Sequence, residues 1–347
     1  MTSYRVGIVG LSWITSDPAE PGTHPVLGDA MPGTHLSGMA RIAQVQVVAG
    51  CDISEAARDR FLDRWSGTWP DLLVFDDYNA MLQDVPLDIV AIATPDNLHG
   101  PVLKAAVDAG VKAIFCEKPI STHTDEVDEM IAAVEGAGIV VNVNHTRRWN
   151  PTWVAARETL RAGRIGDLVA IIGKIGGERA MLWRNDSHLI DIMNYFVDAN
   201  PMWVVGELEP AHANYGTRYH GDGGRDASLE PAANAYWAYD SGVRAFMSAM
   251  KTGVSILEVE LIGSNGIITV GDSQAWLRES TENGVVTSPI LPSYSMVGMQ
   301  AAVVDLIRSL ENGTEPQSPP REARKAVAII EGILESQANG NNRVDIG

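Results

Sequence analysis

The chain has 347 residues, 45% hydrophobic and 20% charged, the composition of an ordinary globular protein long enough for two domains. Its 26 Lys and Arg against 44 Asp and Glu leave a formal charge of −18, which argues against nucleic acid or an anionic membrane as partner, because both need a positive face. No apolar run approaches the roughly 18 residues of a membrane span, no basic-then-apolar leader opens the chain, and Cys51 and Cys116 both lie in apolar stretches, so a reduced, cytoplasmic protein is expected.

Up to residue 145, short apolar strands alternate with helical patterns. Strands are predicted at 4–10, 45–52, 87–95, 111–117 and 138–144, each short and rich in β-branched residues, as strands buried on both faces are. Between them Ser54 can cap a helix over 55–65, Pro101 suits the first turn of one over 100–109, and Thr124 can cap another over 125–135. This alternation predicts a Rossmann-type parallel sheet over 1–145, with a nucleotide crevice at the strand C-termini.

After residue 150 the texture changes. A helix runs from Pro151 to about 162, a long strand covers 165–177, and a second helix begins near Asp186 or Ser187. Strand pairs follow at 233–250, turning at Asp240-Ser241-Gly242, and at 256–270, turning at Ser264-Asn265-Gly266. Residues 209–231 read as a long loop, and helices close the chain at 296–311 and 321–337. The expectation is a C-terminal α+β domain over 146–347, built on a large open, mostly antiparallel sheet, with the 321–337 helix able to pack back on the first domain.

The first strand delivers a glycine-rich turn only in part. Gly10 stands in the first position of G-x-G-x-x-G, but Ser12 and Thr15 occupy the other two. Asp52, at the end of the second strand, strengthens the signal, because a carboxylate there can bond both ribose hydroxyls and repel a 2′-phosphate; the alternative is that it caps the next helix. Its distance from Gly10 is 42 residues, against about 20 in the fingerprint. Residues 15–34 hold four prolines and three glycines and form no periodic element, so they read as a lid-like insertion, with a helix starting near His35.

"VGIVGLS", "VAGCDIS", "DDYNAML", "DIVAIATPDNLHG", "CEKPIS", "IGDL" and "SHLIDIMNYF" occur in that order, and together they resemble the glucose-fructose oxidoreductase / inositol dehydrogenase / MocA (Gfo/Idh/MocA) family. The resemblance covers nearly the whole chain, and "CEKP" preceded by "ATPxxxH" is its most specific part. It implies a nicotinamide-dependent oxidoreductase acting at a carbinol carbon of a sugar, a sugar derivative or a cyclic polyol, assembled as a homodimer or homotetramer through the C-terminal sheet. NAD is expected over NADP because of Asp52.

Alcohol oxidation needs a hydride acceptor, a base for the hydroxyl proton, and positive charge near the developing alkoxide. The resemblance places Lys118 as the cation orienting the hydroxyl; the plain alternative is a surface lysine paired with Glu117. A cis peptide before Pro119 would fix its direction. His188, in the first turn of a helix whose positive end favours neutral imidazole, is the candidate base, against a reading as a core histidine at a helix start. The family often carries an Asp four residues before this histidine, where this chain has Arg184. Either Asp186 replaces that Asp in catalysis or simply caps the helix, or Arg184 instead recognises an anionic or highly hydroxylated substrate. Asp191 and Tyr195 share the histidine's face. Cofactor contacts are expected from Gly10, Ser12, Trp13, Asp52, Thr94, Pro95, Asn97, His99, Glu117 and Lys118, and substrate contacts from Arg148, Arg184 and Asp191. His99 can equally cap a helix, and Trp13 can equally be buried. Of Arg147 and Arg148, one serves an ion pair. His212, His220 and Asp222 are too irregularly spaced for a metal site, so none is expected. Two other functions compete: an NAD-retaining glycoside hydrolase working by transient oxidation, and a non-catalytic nucleotide sensor.

Overall fold

The computed structural model describes residues 3–17, 32–294 and 296–347. The chain divides into two compact units. One comprises residues 1–121, 125–149 and 295–321, and the other residues 122–124, 150–294 and 322–347.

The first unit is a six-stranded sheet of β1 (Tyr4–Val9), β2 (Val45–Cys51), β3 (Leu73–Phe75), β4 (Ile89–Ile92), β5 (Ala113–Cys116) and β6 (Val140–Val143), in the order β3-β2-β1-β4-β5-β6. Every pair is parallel. Between β1 and β4 the strand order reverses, which opens a crevice at the carboxyl ends of those strands. Val6, Ile8, Val90 and Ile114 are wholly buried, as β-branched residues covered on both sheet faces should be. The helices are α1 (Trp13–Ser16), α2 (His35–Met39), α3 (Glu55–Trp65), α4 (Tyr78–Asp84), α5 (His99–Asp108) and α6 (Thr124–Ala137). Ser54 caps α3 as expected, its side chain accepting from Ala57 N. A late helix, Gly298–Asn312, joins this unit and adds Met299, Ala302, Val303, Leu306 and Ile307 to its core. Burying each of the larger side chains, Met299, Val303, Leu306 and Ile307, stabilises the unit by about 1.5–3 kcal/mol. Gly38 of α2 lets that helix approach closely, since a Cβ there would lie 2.7 Å from Met299 Cβ. The segment read as a lid-like insertion, 15–34, falls for the most part outside the described residues.

The second unit carries a nine-stranded sheet: β7 (Leu168–Gly176), β8 (Pro201–Leu208), β9 (Ala233–Tyr239), β10 (Arg244–Met250), β11 (Ile256–Gly263), β12 (Gly266–Gly271), β13 (Ala275–Thr281), β14 (Gly284–Pro289) and β15 (Val344–Asp345). Their order is β14-β13-β12-β11-β7-β10-β9-β8-β15. Only β7 and β10 pair in parallel; every other pair is antiparallel, so the sheet is open and mostly antiparallel, as the sequence predicts. Helix α7 (Pro151–Arg161) is capped by Asn150, and α8 (Asp186–Val197) lays Leu189 and Met193 against Gly173 of β7. From residue 322 on, the helix Pro320–Ala338 covers β8, with Ile333 packed on Gly206. The other sheet face carries a cross-strand row of Tyr236, Phe246, Ile172, Glu260, Thr269 and Trp276. Tyr236 and Phe246 stack at 4.9 Å, and Phe246 and Trp276 remain 43% and 42% exposed.

Candidate active site

In the first unit the predicted residues gather at the carboxyl ends of the strands. Gly10 follows β1 with φ +94°, in the left-handed region, and a Cβ there would lie 2.4 Å from Ala93 O, so only glycine fits this turn. Thr15 Oγ1 donates to Gly10 O at 2.8 Å, which gives the residue at the missing third glycine a structural bond. Asp52 follows β2. Its Oδ2 accepts from Leu11 N and its Oδ1 from Ser54 N, both at 2.8 Å, so one carboxylate ties the β1 turn to the start of α3. Each of these oxygens keeps a lone pair for a further donor, as ribose hydroxyls would require. Arg58 NH1 donates to Asp52 O at 2.7 Å, which puts a guanidinium beside this corner although no Arg adjoins Asp52 in the sequence. Ser12 is exposed and Trp13 is 70% exposed rather than buried, as is Ile53 at 92%. After β4, Thr94 Oγ1 is buried with no hydrogen-bond partner among the described residues, while Pro95 and Asn97 are exposed. A free buried hydroxyl, a carboxylate with spare lone pairs and exposed apolar groups at a strand-order reversal fit a dinucleotide.

Lys118, half-buried, begins the turn after β5, and the Lys118–Pro119 peptide is cis. Its neighbour Glu117 is 8% exposed and accepts from His35 Nε2 at 2.8 Å, from Asn144 Nδ2 and from Lys118 N at 3.1 Å. Burial works against the carboxylate, but the bonds from His35 and Asn144 win and hold it down at about 2. Glu117 is therefore a buried anion that joins α2, β5 and the end of β6, and it is the backbone anchor of the lysine. His99 is 1% exposed, with Nδ1 2.9 Å from Pro119 O and Nε2 3.0 Å from Thr94 O, so both ring nitrogens face backbone carbonyls and neither remains for a nucleotide. Arg148, 2% exposed, donates NH1 to Gln317 O at 2.6 Å and braces the segment after residue 312.

In the second unit the candidates cluster at the start of α8. Asn185, not Asp186, is the helix N-cap, and His188 lies half-buried in the first turn. Asp186 is wholly buried; burial, with the nearby Glu230 carboxylate adding to it, pushes its carboxyl well above the usual range. Arg184, where the family often has Asp, is 9% exposed. Its Nε lies 3.3 Å from Glu230 Oε1, and its NH2 donates to Tyr219 Oη at 2.9 Å. Tyr219 in turn donates to Glu230 Oε1 at 2.9 Å, and burial pushes its hydroxyl up to about 12. Arg184 thus latches the 209–231 loop. Asp191 is 1% exposed. Asp222 accepts from the backbone of Arg225 and Asp226, which makes it a turn residue.

Sequence pattern marks His35 only as the start of a helix and does not single out Asn144, Tyr219 or Glu230. His35 and Asn144 meet Glu117 from 82 and 27 residues away, and no periodicity encodes that. The buried ion pair of Glu230 had one available signal, an acid directly before Pro231 at the start of a strand pattern.

Residues 4–145 match a family model described as an oxidoreductase family with an NAD-binding Rossmann fold. Over 329 residues the chain is 26% identical to a D-apiose dehydrogenase of Paraburkholderia graminis, covering 88% of this chain and 84% of that one. It is 26% identical over 230 residues to scyllo-inositol 2-dehydrogenase (NAD(+)) of Bacillus subtilis, covering 62% of each. An oxidoreductase from Agrobacterium radiobacter, crystallised with NAD+, L-tartaric acid and magnesium, aligns with 100% of this chain and 99% of its own at a TM-score of 0.77 and 18% identity, which shows a shared fold.

Proposed function

Because the chain belongs to the Gfo/Idh/MocA family of oxidoreductases, we propose that it is an NAD-dependent dehydrogenase acting at a carbinol carbon of a sugar, sugar derivative or cyclic polyol. The observation that carries the reading is Lys118, at the carboxyl end of a buried parallel strand and anchored through Glu117, on the same sheet edge as Gly10 and Asp52. The relatives named for D-apiose and scyllo-inositol support the substrate class.

Gly10 allows the β1 turn to pass close to a bound nucleotide, and Asp52 accepts from the ribose hydroxyls and disfavours a 2′-phosphate. NAD, when bound, supplies the hydride acceptor. Lys118 donates a charge-assisted hydrogen bond to the substrate hydroxyl and stabilises its oxygen as the proton leaves. His188 accepts that proton, its place in the first turn of α8 favouring the neutral imidazole that a base requires. The exposed aromatic row of the nine-stranded sheet is assigned to self-association.

The test is a screen of monosaccharides and inositols with NAD, following absorbance of NADH. Accumulation of NADH with one of them supports the reading. Release of sugar from glycosides with no net NADH would replace it by transient-oxidation hydrolysis, and tight NAD binding with no turnover of any substrate would leave a nucleotide sensor.

A further inference from the structure

His99 is the first residue of α5, and its ring lies between two backbone carbonyls, Thr94 O after β4 and Pro119 O after β5. Carbonyl oxygens only accept hydrogen bonds, and a neutral imidazole has a single N–H. At 2.9 and 3.0 Å, a neutral ring would satisfy one carbonyl and turn a nitrogen lone pair on the other. The side chain is 1% exposed, so bulk water has no access to relieve that contact. From this geometry we infer that His99 is held as an imidazolium, donating from both ring nitrogens, and that it is a positioning residue for Lys118.

Two effects oppose a cation here. The ring is buried, and it sits at the positive end of a helix. Two direct acceptors offset them, and the charged groups on the adjoining elements are mostly acidic. Asp96 lies on the turn before α5, Glu117 and Lys118 on the turn after β5, and Glu126 on α6, three carboxylates against one ammonium. Glu126 packs against the start of α5, with Oε1 only 2.6 Å from where a Gly100 Cβ would stand.

The consequence for Lys118 is a backbone gripped on both sides. Glu117, before it, is fixed by His35 and Asn144; Pro119, after it, is fixed by His99. His99 also couples that turn to the end of β4, so the lysine's place is set relative to two neighbouring strands. It touches no reacting atom and acts through the lysine. This positioning role rests on the reading of Lys118 as the orienting cation, whereas the protonation state of His99 does not.

The experiment has two arms, both on the full chain. In the first, the unmodified protein is labelled with 15N in its histidines, and one spectrum at neutral pH reads both ring nitrogens of His99, assigned through its backbone. Two protonated nitrogens are expected; one bare nitrogen overturns the inference. In the second, His99→Gln keeps a single side-chain donor group and is compared with Lys118→Ala. His99→Gln should lower kcat by about tenfold or more, since small misplacements of a catalytic group are costly. The dissociation constant for NADH should stay within about twofold, because both ring nitrogens are turned to backbone carbonyls. Unchanged kcat in His99→Gln, alongside an inactive Lys118→Ala, removes the positioning role and leaves the reading of Lys118 intact. Full turnover by Lys118→Ala would sink that reading and the positioning role together, while the spectrum still decides the state of His99.

Discussion

Glu117→Gln removes one negative charge from a side chain that is 8% exposed and keeps its shape. In the folded chain its carboxyl sits at about 2, against an ordinary value of 4.5. At about 1.4 kcal/mol for each tenfold change in proton affinity, that difference is worth roughly 3 kcal/mol. The sign follows from the direction. A depressed carboxyl contributes its full stability above pH 4.5 and loses it as pH falls towards 2, where the folded form takes up the proton. Glutamine imitates the protonated side chain, so the variant should be less stable than the parent by roughly 3 kcal/mol at pH 7, with the gap closing below pH 4.5. Urea unfolding followed by tryptophan fluorescence at pH 7, 5, 4 and 3 measures it, reading the transition of the first unit. A gap that stays constant over this range, or that is absent at pH 7, would refute the account of Glu117 as a hydrogen-bonded buried anion.

Lys118→Ala should lose about 10² to 10³ in kcat/KM, on the order of 2–4 kcal/mol, while NADH binding measured by fluorescence is retained. Asp52→Ser should narrow the preference for NAD over NADP in paired dissociation constants, and tighter binding of NADP by the unmodified chain would contradict the assignment. Tyr219→Phe removes the hydroxyl shared by Arg184, Glu230 and Gly223 N, so it should cost about 1–3 kcal/mol and speed protease cleavage within 209–231; identical cleavage rates would count against the latch. Phe246→Asp, placing a charge in the exposed aromatic row, should shift sedimentation towards the monomer, and an unchanged size would remove that face as the assembly surface.

The sequence made most of the first sheet legible because its strands are covered on both faces and read as short continuous apolar runs. Leu73–Phe75 escaped: three residues at the sheet edge, with Leu73 51% exposed, carry too little pattern. The hairpin of β13 and β14 was missed for a similar reason, since Val285 and Val286 face outward at 68% and 46% and the alternation is blurred, although Asn283-Gly284 marked its turn. The places of Lys118 and Asp52 at the carboxyl ends of strands were readable because Asp52 directly follows β2 and Lys118 comes two residues after β5. The partners that decide their chemistry were not. Glu117 meets His35 across 82 residues, and the Thr94 and Pro119 carbonyls that bracket His99 are main-chain atoms with no sequence signature. Arg184 shows the opposite limit, since residue type suggested substrate recognition whereas a tertiary partner, Glu230, claims the guanidinium.

The return of helix Gly298–Asn312 to the first unit also governs the order in which the protein can be made. Met299, Ala302, Val303, Leu306 and Ile307 belong to one buried cluster with Tyr4, Leu36, Met39 and Phe115. Val143 N and Asn142 Nδ2 likewise wait for Ser318 O and Ala302 O. On the ribosome, the residues up to 149 emerge long before these partners exist. At about 5–20 residues per second, the interval between residues 149 and 298 lasts roughly 7 to 30 s. During it the nascent sheet has an uncovered apolar flank, while residues 150–294 are already free to pair their strands. The first unit, begun first on the ribosome, thus cannot be finished until residues 295–321 have been made, and a fragment ending near residue 149 would carry that unfinished flank permanently.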